Sequence, residues 1–268
     1  MTLAQNEIDS AASDLFDAEQ SGQQIGLLSK RYRDMDIDDA YAVQKALVTQ
    51  KLAAGRHVIG WKIGLTSRAM QQALNITTPD SGVLLDDMLF ESGANIPKRR
   101  FIQPRVEAEI AFVMKAPLAG ISITRENVIA ATDYVSASLE ILDTRVLRTD
   151  PTTGQTRIIT DTIADNAANA GIVLGREKHA IDAFDLRRVG AIVAANNTVE
   201  ETGLGAGVLN DPIEGIVWLA RRMAQYNQRI EPGQVILSGS FIRPIEAPSG
   251  TKINADFGPF GTVEINFS

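Results

Sequence analysis

The apolar residues change their period along the chain, and that change restricts the fold more than any other feature. In the first third they recur at helical spacing: Ile8, Ala12, Leu15 and Phe16 share one helical face. A second helix is predicted from Ile37 to Ala54. Asp36 is its N-cap, Ala40, Val43, Leu47 and Leu52 form its apolar stripe, and Gly55 ends it. A short third helix is expected after Thr66 or Ser67, through Met70 and Leu74. The segments VIGWKIGL, VEAEIAFVM, YVSASLEILD, AGIVLG, AIVAANNTVEE, QVILSG and GTVEINF carry β-branched or alternating residues between turns, and so read as strands. Two helices interrupt them. One is capped by Thr124 in TRENVIAATDY; the other opens at Asn210-Asp211-Pro212 and runs through Trp218 to about Gln225. Strands that do not alternate with long helices argue against a doubly wound sheet or a TIM barrel. They predict an α+β fold built on a large curved sheet. We read residues 1–268 as a single domain, mainly helical over 1–75 and β-rich over 76–268.

Composition removes several chemistries. The chain has no cysteine, which excludes disulfides, thiolate nucleophiles and Cys-based metal sites. Its two histidines lie in polar turns, AAGRHVIG and GREKHAID, so neither a Ser-His-Asp triad nor a His-based metal site is expected. A formal net charge of −7 disfavours contact with nucleic-acid phosphates. No apolar run approaches the roughly 18 residues of a membrane span. The N-terminus lacks a basic, then apolar, leader, and a cytoplasmic location is expected. Gly203-Leu204-Gly205-Ala206-Gly207 follows no clear strand and precedes no P-loop Lys, so it reads as a flexible loop. Metal chemistry, if present, must rest on oxygen ligands.

The strongest local signal is Arg105-Val106-Glu107-Ala108-Glu109-Ile110-Ala111-Phe112-Val113. In a strand, Val106, Ala108, Ile110 and Phe112 share one face while Glu107 and Glu109 share the other. The two acids are separated by about 7 Å at roughly 3.3–3.4 Å per residue. Like charges on one face of an apolar strand resist burial, and a cation resolves that conflict. The alternative is a strand whose second face is wet. A third acid, Glu140, shares a face with Ser136 and Ser138 in the segment from Tyr134 to Asp143. Three carboxylates with no His or Cys suit a hard cation, Mg²⁺ or Mn²⁺. The alternative for Glu140 is an ion pair with Arg145 or Arg105. Lys62 lies between apolar residues on a strand that turns sharply into a helix. It either faces acids or stands in solvent at a sheet edge. The turn at Thr66 and Ser67 offers backbone N–H groups to an anion.

Together GWKIGLTSRAMQ, TTPDSGVLLDDMLF, FIQPRVEAEIAFVM, SLEILDTR, DTIADNAANAG, EETGLGAGVLNDPIEGIVWLA and QVILSGSFIRP resemble the 2-oxo acid hydratase/decarboxylase group of the fumarylacetoacetase-like superfamily, in order and across nearly the whole chain. The resemblance implies a mixed β-sandwich roll with an N-terminal helical segment. It implies a lyase that acts on a small 2-oxo acid in aromatic catabolism, by hydration or by decarboxylation. It places Mg²⁺ or Mn²⁺ on Glu107, Glu109 and Glu140, proton transfer on Lys62 and Asp80, and substrate contacts on Leu65, Thr66 and Ser240. The meta-cleavage route of 4-hydroxyphenylacetate degradation and a homo-oligomer are further expectations. A non-catalytic role as structural partner of a related lyase is the contrasting possibility. A cation beside Lys62 would lower its pKa. Where dicarboxylate hydratases of the group carry His before the lysine, this chain has Trp61, which cannot accept a proton or become cationic. That difference points to a different substrate end.

Overall fold

The computed structural model describes residues 2–73, 76 and 78–268, and of residues 69, 70 and 73 the backbone only. The N-terminal helical spacing yields α1 (Gln5–Ser21), α2 (Leu28–Arg31) and α3 (Ile37–Ala53). Asp36 caps α3 as expected, accepting from the Asp39 N–H at 2.8 Å. Ile8, Leu15, Leu28, Val43 and Leu47 form a core of their own with Val146 and Ile163. Leu52 lies outside it: this position of α3 faces solvent, and the side chain is 41% exposed.

The chain then enters β1 (Val58–Gly64), turns through α4 (Arg68–Ala73) and returns in β2 (Asp80–Leu85). Leu74, placed in the third helix by its spacing, lies outside the described residues. Two short strands, β3 (Leu89–Glu91) and β4 (Asn95–Ile96), lead to the long β5 (Arg105–Met114). Helix α5 (Arg125–Ala131) connects β5 to β6 (Thr132–Leu142), and Thr124 caps it through the Asn127 N–H. Next come α6 (Ile159–Ala164), β7 (Asn169–Leu174), β8 (Gly190–Ala195), β9 (Thr198–Leu204) and α7 (Pro212–Gln225). The chain ends with β10 (Val235–Leu237), β11 (Ile245–Glu246), β12 (Lys252–Asp256) and β13 (Thr262–Phe267).

Among the described residues the strands form two sheets. One has eight strands in the order β2-β1-β10-β5-β6-β7-β3, with β11 also on β5; the other runs β4-β13-β12-β8-β9. Between them lies the main core, where Val106, Ala108, Ile110 and Phe112 of β5 meet Ile253, Val263 and Ile265. The pairing is mostly antiparallel, with parallel contacts at β1–β10, β3–β7 and β4–β13. The α+β class and the curved sheet expected from the sequence are present. AIVAANNTVEE is not one strand but a hairpin. Asn196 and Asn197 both hold positive φ, the geometry of a tight two-residue turn. The Gly203–Gly207 segment is not a free loop either. A Cβ at Gly205 would lie 2.1 Å from the Leu186 carbonyl oxygen, so the glycine permits tight packing.

Candidate metal centre and active site

The second face of β5 builds the site. Glu107 and Glu109 leave it together, and the antiparallel register sets Glu107 opposite Glu140 and Glu109 opposite Ser138 on β6. One carboxylate oxygen from each of Glu107, Glu109 and Glu140 lies within 4.8 Å of the others. Glu109 and Glu140 are fully buried, and Glu107 is half-buried. The Gly239 N–H donates to Glu109 Oε2 at 2.7 Å, and the Asn169 amide donates to Glu140 Oε1 at 2.9 Å.

Lys62 reaches into the same group. Its Nζ stands 3.3 Å from Glu140 Oε1, and its side chain is buried. It is neither an edge lysine in solvent nor distant from acids. Glu140 pairs with Lys62 rather than with Arg145 or Arg105. Those arginines face Asp165 and Glu246 instead. Asp80 begins β2 opposite Gly64, and a Cβ on Gly64 would fall 2.2 Å from Asp80 Oδ1. Only glycine lets that carboxylate lie over β1.

The electrostatics follow from burial. Loss of water and the neighbouring Glu140 charge push Glu107 up to about 8. Burial, Glu140 and Glu107 raise Glu109 well above the usual carboxylate range. Burial also raises Glu140 and Asp80, against the opposing charge of Lys62. For Lys62 itself burial acts downward, but Glu140, Asp80, Glu107 and Glu109 outweigh it and hold the ammonium above its ordinary value. The lowered Lys62 pKa expected from the sequence is therefore not produced by the protein's own charges.

The donor set fits a hard divalent cation. Glu109 Oε1 and Glu140 Oε2 are buried oxygens with no hydrogen-bond partner, and a carboxylate left so is costly unless a cation or proton meets it. All three donors are oxygen, as Mg²⁺ prefers.

Other expected residues are placed less directly. Leu65 holds a positive φ of 57° at the turn after β1, and its carbonyl accepts from Gln71 Nε2 at 2.7 Å. Thr66 is buried against Gly239. Ser240 follows that glycine, but its hydroxyl donates to the Ile242 carbonyl at 2.8 Å, so its proton is already engaged. Trp61 alternates with Lys62 and so leaves the opposite face of β1, where its Nε1–H donates to Gln234 Oε1 at 3.1 Å. A residue on that face does not meet a ligand beside Lys62, so Trp61 says nothing about the substrate's far end.

The sequence reading missed the support around these groups. Asn166, Ala167 and Ala168 all lie in the left-handed region, with φ of 50°, 53° and 58°. Such a turn costs about 1–2 kcal/mol per non-glycine residue. The Asn166 amide offsets this by closing both backbone groups of Val83 at 2.8 and 2.9 Å. The Tyr41 hydroxyl accepts from the Ser81 N–H, and Gln44 donates to the Ser81 carbonyl. The free edge of β2, and Asp80 with it, is thus tied down by side chains. The turn also delivers Asn169 to Glu140. The available signal was the Asn-Ala-Ala-Asn run after Asp165, since Asn tolerates the left-handed region.

No family model matches the chain. It is 47% identical over 256 residues to the 2-oxo-hept-4-ene-1,7-dioate hydratase of Escherichia coli, covering 96% of each chain. The chain belongs to the family of 2-oxo acid hydratases and decarboxylases. The 2-keto-4-pentenoate hydratase of Paraburkholderia xenovorans is 37% identical over 267 residues, covering all of this chain and 96% of that one. The structure of 4-oxalocrotonate decarboxylase from Pseudomonas putida G7, complexed with magnesium and adipate, superposes with a TM-score of 0.93. It is 30% identical and covers 100% of this chain and 99% of that one. With this membership the protein is an enzyme, a hydro-lyase, and its three-glutamate cluster could hold a metal ion. The decarboxylase relative holds magnesium in one structure and calcium in another, and the acidic triad here suits a hard divalent cation. Among the described residues no helix is long and apolar enough to cross a membrane.

Proposed function

We propose that the protein hydrates 2-oxo-hept-4-ene-1,7-dioate to 4-hydroxy-2-oxoheptanedioate in aromatic catabolism, on the route of 4-hydroxyphenylacetate degradation. The observation that carries the chemistry is the convergence of Lys62, Asp80 and the three glutamates on one buried face. The substrate follows from the Escherichia coli relative, and Trp61, turned to the other face, does not oppose it.

Glu107, Glu109 and Glu140 hold the cation. When bound, Mg²⁺ supplies Lewis-acid stabilisation for the negative charge that builds on a 2-oxo acid. Lys62, whose charged form its acid neighbours favour in the metal-free protein, brings hydrogen-bond donors to the same side. Asp80 carries the proton. Its Oδ1 is buried without a hydrogen-bond partner, and burial raises its affinity for a proton above that of an ordinary carboxylate. The double bond first moves into conjugation with the ketone. Water oxygen then adds at C4 and a proton at C3, so the product retains every atom of the water. Leu65 and Thr66 present the turn that seats the substrate carboxylate, with Ser240 beside it.

A second reading is decarboxylation of 4-oxalocrotonate, favoured by the structural likeness to that decarboxylase. The purified Mg²⁺-loaded enzyme decides. Hydration predicts 4-hydroxy-2-oxoheptanedioate by NMR from the heptenedioate and no CO₂ from 4-oxalocrotonate. Efficient CO₂ release without hydration would reverse the assignment.

A further inference from the structure

Two arginines return to the edge of the site on the loop after β6, and nothing described above uses their charge. Arg148 and Arg157 stand together because the segment between them folds back on itself. Thr149 bridges Thr156 antiparallel, and the Arg157 N–H donates to the Arg148 carbonyl at 2.9 Å. Arg105 joins them from β5. It precedes Glu107 by two residues and so shares the strand face of the glutamates.

Two of the three guanidinium groups face one carboxylate. Glu246 lies 2.7 Å from Arg148 Nη1 and 3.8 Å from Arg105 Nε. Arg148 Nη2 also donates to the Gln103 carbonyl at 2.8 Å. Arg157 makes no ion pair among the described residues. Each arginine keeps one buried nitrogen with no partner: Arg105 Nε, Arg148 Nε and Arg157 Nη1. Burial lowers Arg157 from its ordinary value, and the charges of Arg105 and Arg148 add to that against Asp165 and Asp161. Like charges held together over buried, unsatisfied donors do not stabilise a fold. Such donors suit an anion. The patch also borders the site, since the charge of Arg105 acts on Glu107 and that of Arg157 acts on Asp80.

We propose that Arg105 and Arg157, braced by Arg148, receive the second carboxylate of the substrate and so select 2-oxo diacids over 2-oxo monoacids. The proposal rests on the function given above. Arg105 lies about 7 Å from Glu107 along the strand, at two residues of strand rise. An extended seven-carbon diacid separates its carboxylates by a comparable length. A carboxylate offers the planar, two-oxygen acceptor that guanidinium groups match, and it fills the three unpaired donors.

Equilibrium binding to the Mg²⁺-loaded protein tests this without turnover. The probes are 2-oxoheptanedioate and 2-oxoheptanoate, followed by calorimetry. The wild type is expected to prefer the diacid. Arg157→Met and Arg105→Met should each weaken the diacid by about tenfold to a hundredfold and leave the monoacid within about twofold. Arg157→Lys, which keeps the charge, should restore part of the preference, and thermal melting checks that each variant is folded. Equal binding of both acids by the wild type overturns the subsite, and so does equal weakening of both acids in the variants. If the arginine-dependent preference is present but no 2-oxo-alkenoate is hydrated, the reaction assignment fails and the subsite stands. If hydration proceeds and Arg157→Met binds the diacid as the wild type does, only the subsite fails.

Discussion

Two buried charge groups lie within a few residues of each other, and they are built on opposite principles. Arg145 and Asp165 form a closed pair. The Asp165 carboxylate accepts from the Arg145 N–H at 2.9 Å and from Nε at 2.5 Å. The Asp165 and Asn169 carbonyls take Nη2 and Nη1 at 2.7 and 3.0 Å. One cation meets one anion, and neither side chain leaves a buried polar atom unpaired. The second group sets Glu107, Glu109, Glu140 and Asp80 around the single ammonium of Lys62. Oxygens of Glu109, Glu140 and Asp80 remain without hydrogen bonds. Apart from the half-buried Glu107, both groups are shut away from water, so burial does not separate them. Completeness does: the closed pair holds the chain in place, and the open group keeps capacity for a ligand.

The hardest test of that contrast removes one open charge. Glu109→Gln is expected to abolish Mg²⁺ binding and to lower turnover by about a thousandfold or more. The metal-free protein should melt at the same temperature or higher, because Gln replaces a carboxyl whose charged form burial already disfavours. Unchanged metal content and activity would remove Glu109 from the site.

Asp165→Asn opens the closed pair by leaving the Arg145 cation buried without its anion. A loss of about 3–5 kcal/mol in urea unfolding is expected. An unchanged unfolding midpoint would mean that the pair holds nothing in place.

The smallest effect is set by pH. In the folded metal-free protein Glu107 titrates at about 8, above its ordinary value of 4.5. The folded state therefore keeps a proton that the unfolded chain releases between those values. Stability of the metal-free protein is full below the lower value and falls as pH rises through the upper one. Mg²⁺ must displace that proton and the one that burial favours on Glu109, so its affinity should climb with pH, by up to about tenfold per pH unit for each proton released. Calorimetric Mg²⁺ titrations that show a flat profile from about pH 6 to pH 9 would place these protons elsewhere.

Much of the contrast could be read in advance on the open side and little of it on the closed side. Glu107 and Glu109 stood out because a strand's period of two separates them cleanly from Val106, Ala108, Ile110 and Phe112. Glu140 stood out for the same reason among Ser136 and Ser138. The helices α1, α3, α5 and α7 were visible through local stripes and caps. Strand β2 was not, because DSGVLL is buried on both faces and alternates weakly. Asn166 and Asn169 went unnoticed because their partners, Val83 and Glu140, lie 83 and 29 residues away. The run from Ala191 to Glu201 was read as one strand because both arms have the same period, and only the positive φ of two asparagines divides it.

By itself the sequence determined which chemistry was open. With no cysteine, two histidines in polar turns and three acids on strand faces, any metal chemistry had to rest on oxygen ligands. Its periodicities also determined the fold class, because helix and strand spacings are local properties of neighbouring residues. The tertiary structure alone decided the pairings. It put Glu107 opposite Glu140, brought Lys62 across to that pair, laid Asp80 over Gly64 and turned Trp61 away. Those contacts depend on strand order and register between segments far apart in the chain, and no local spacing encodes them.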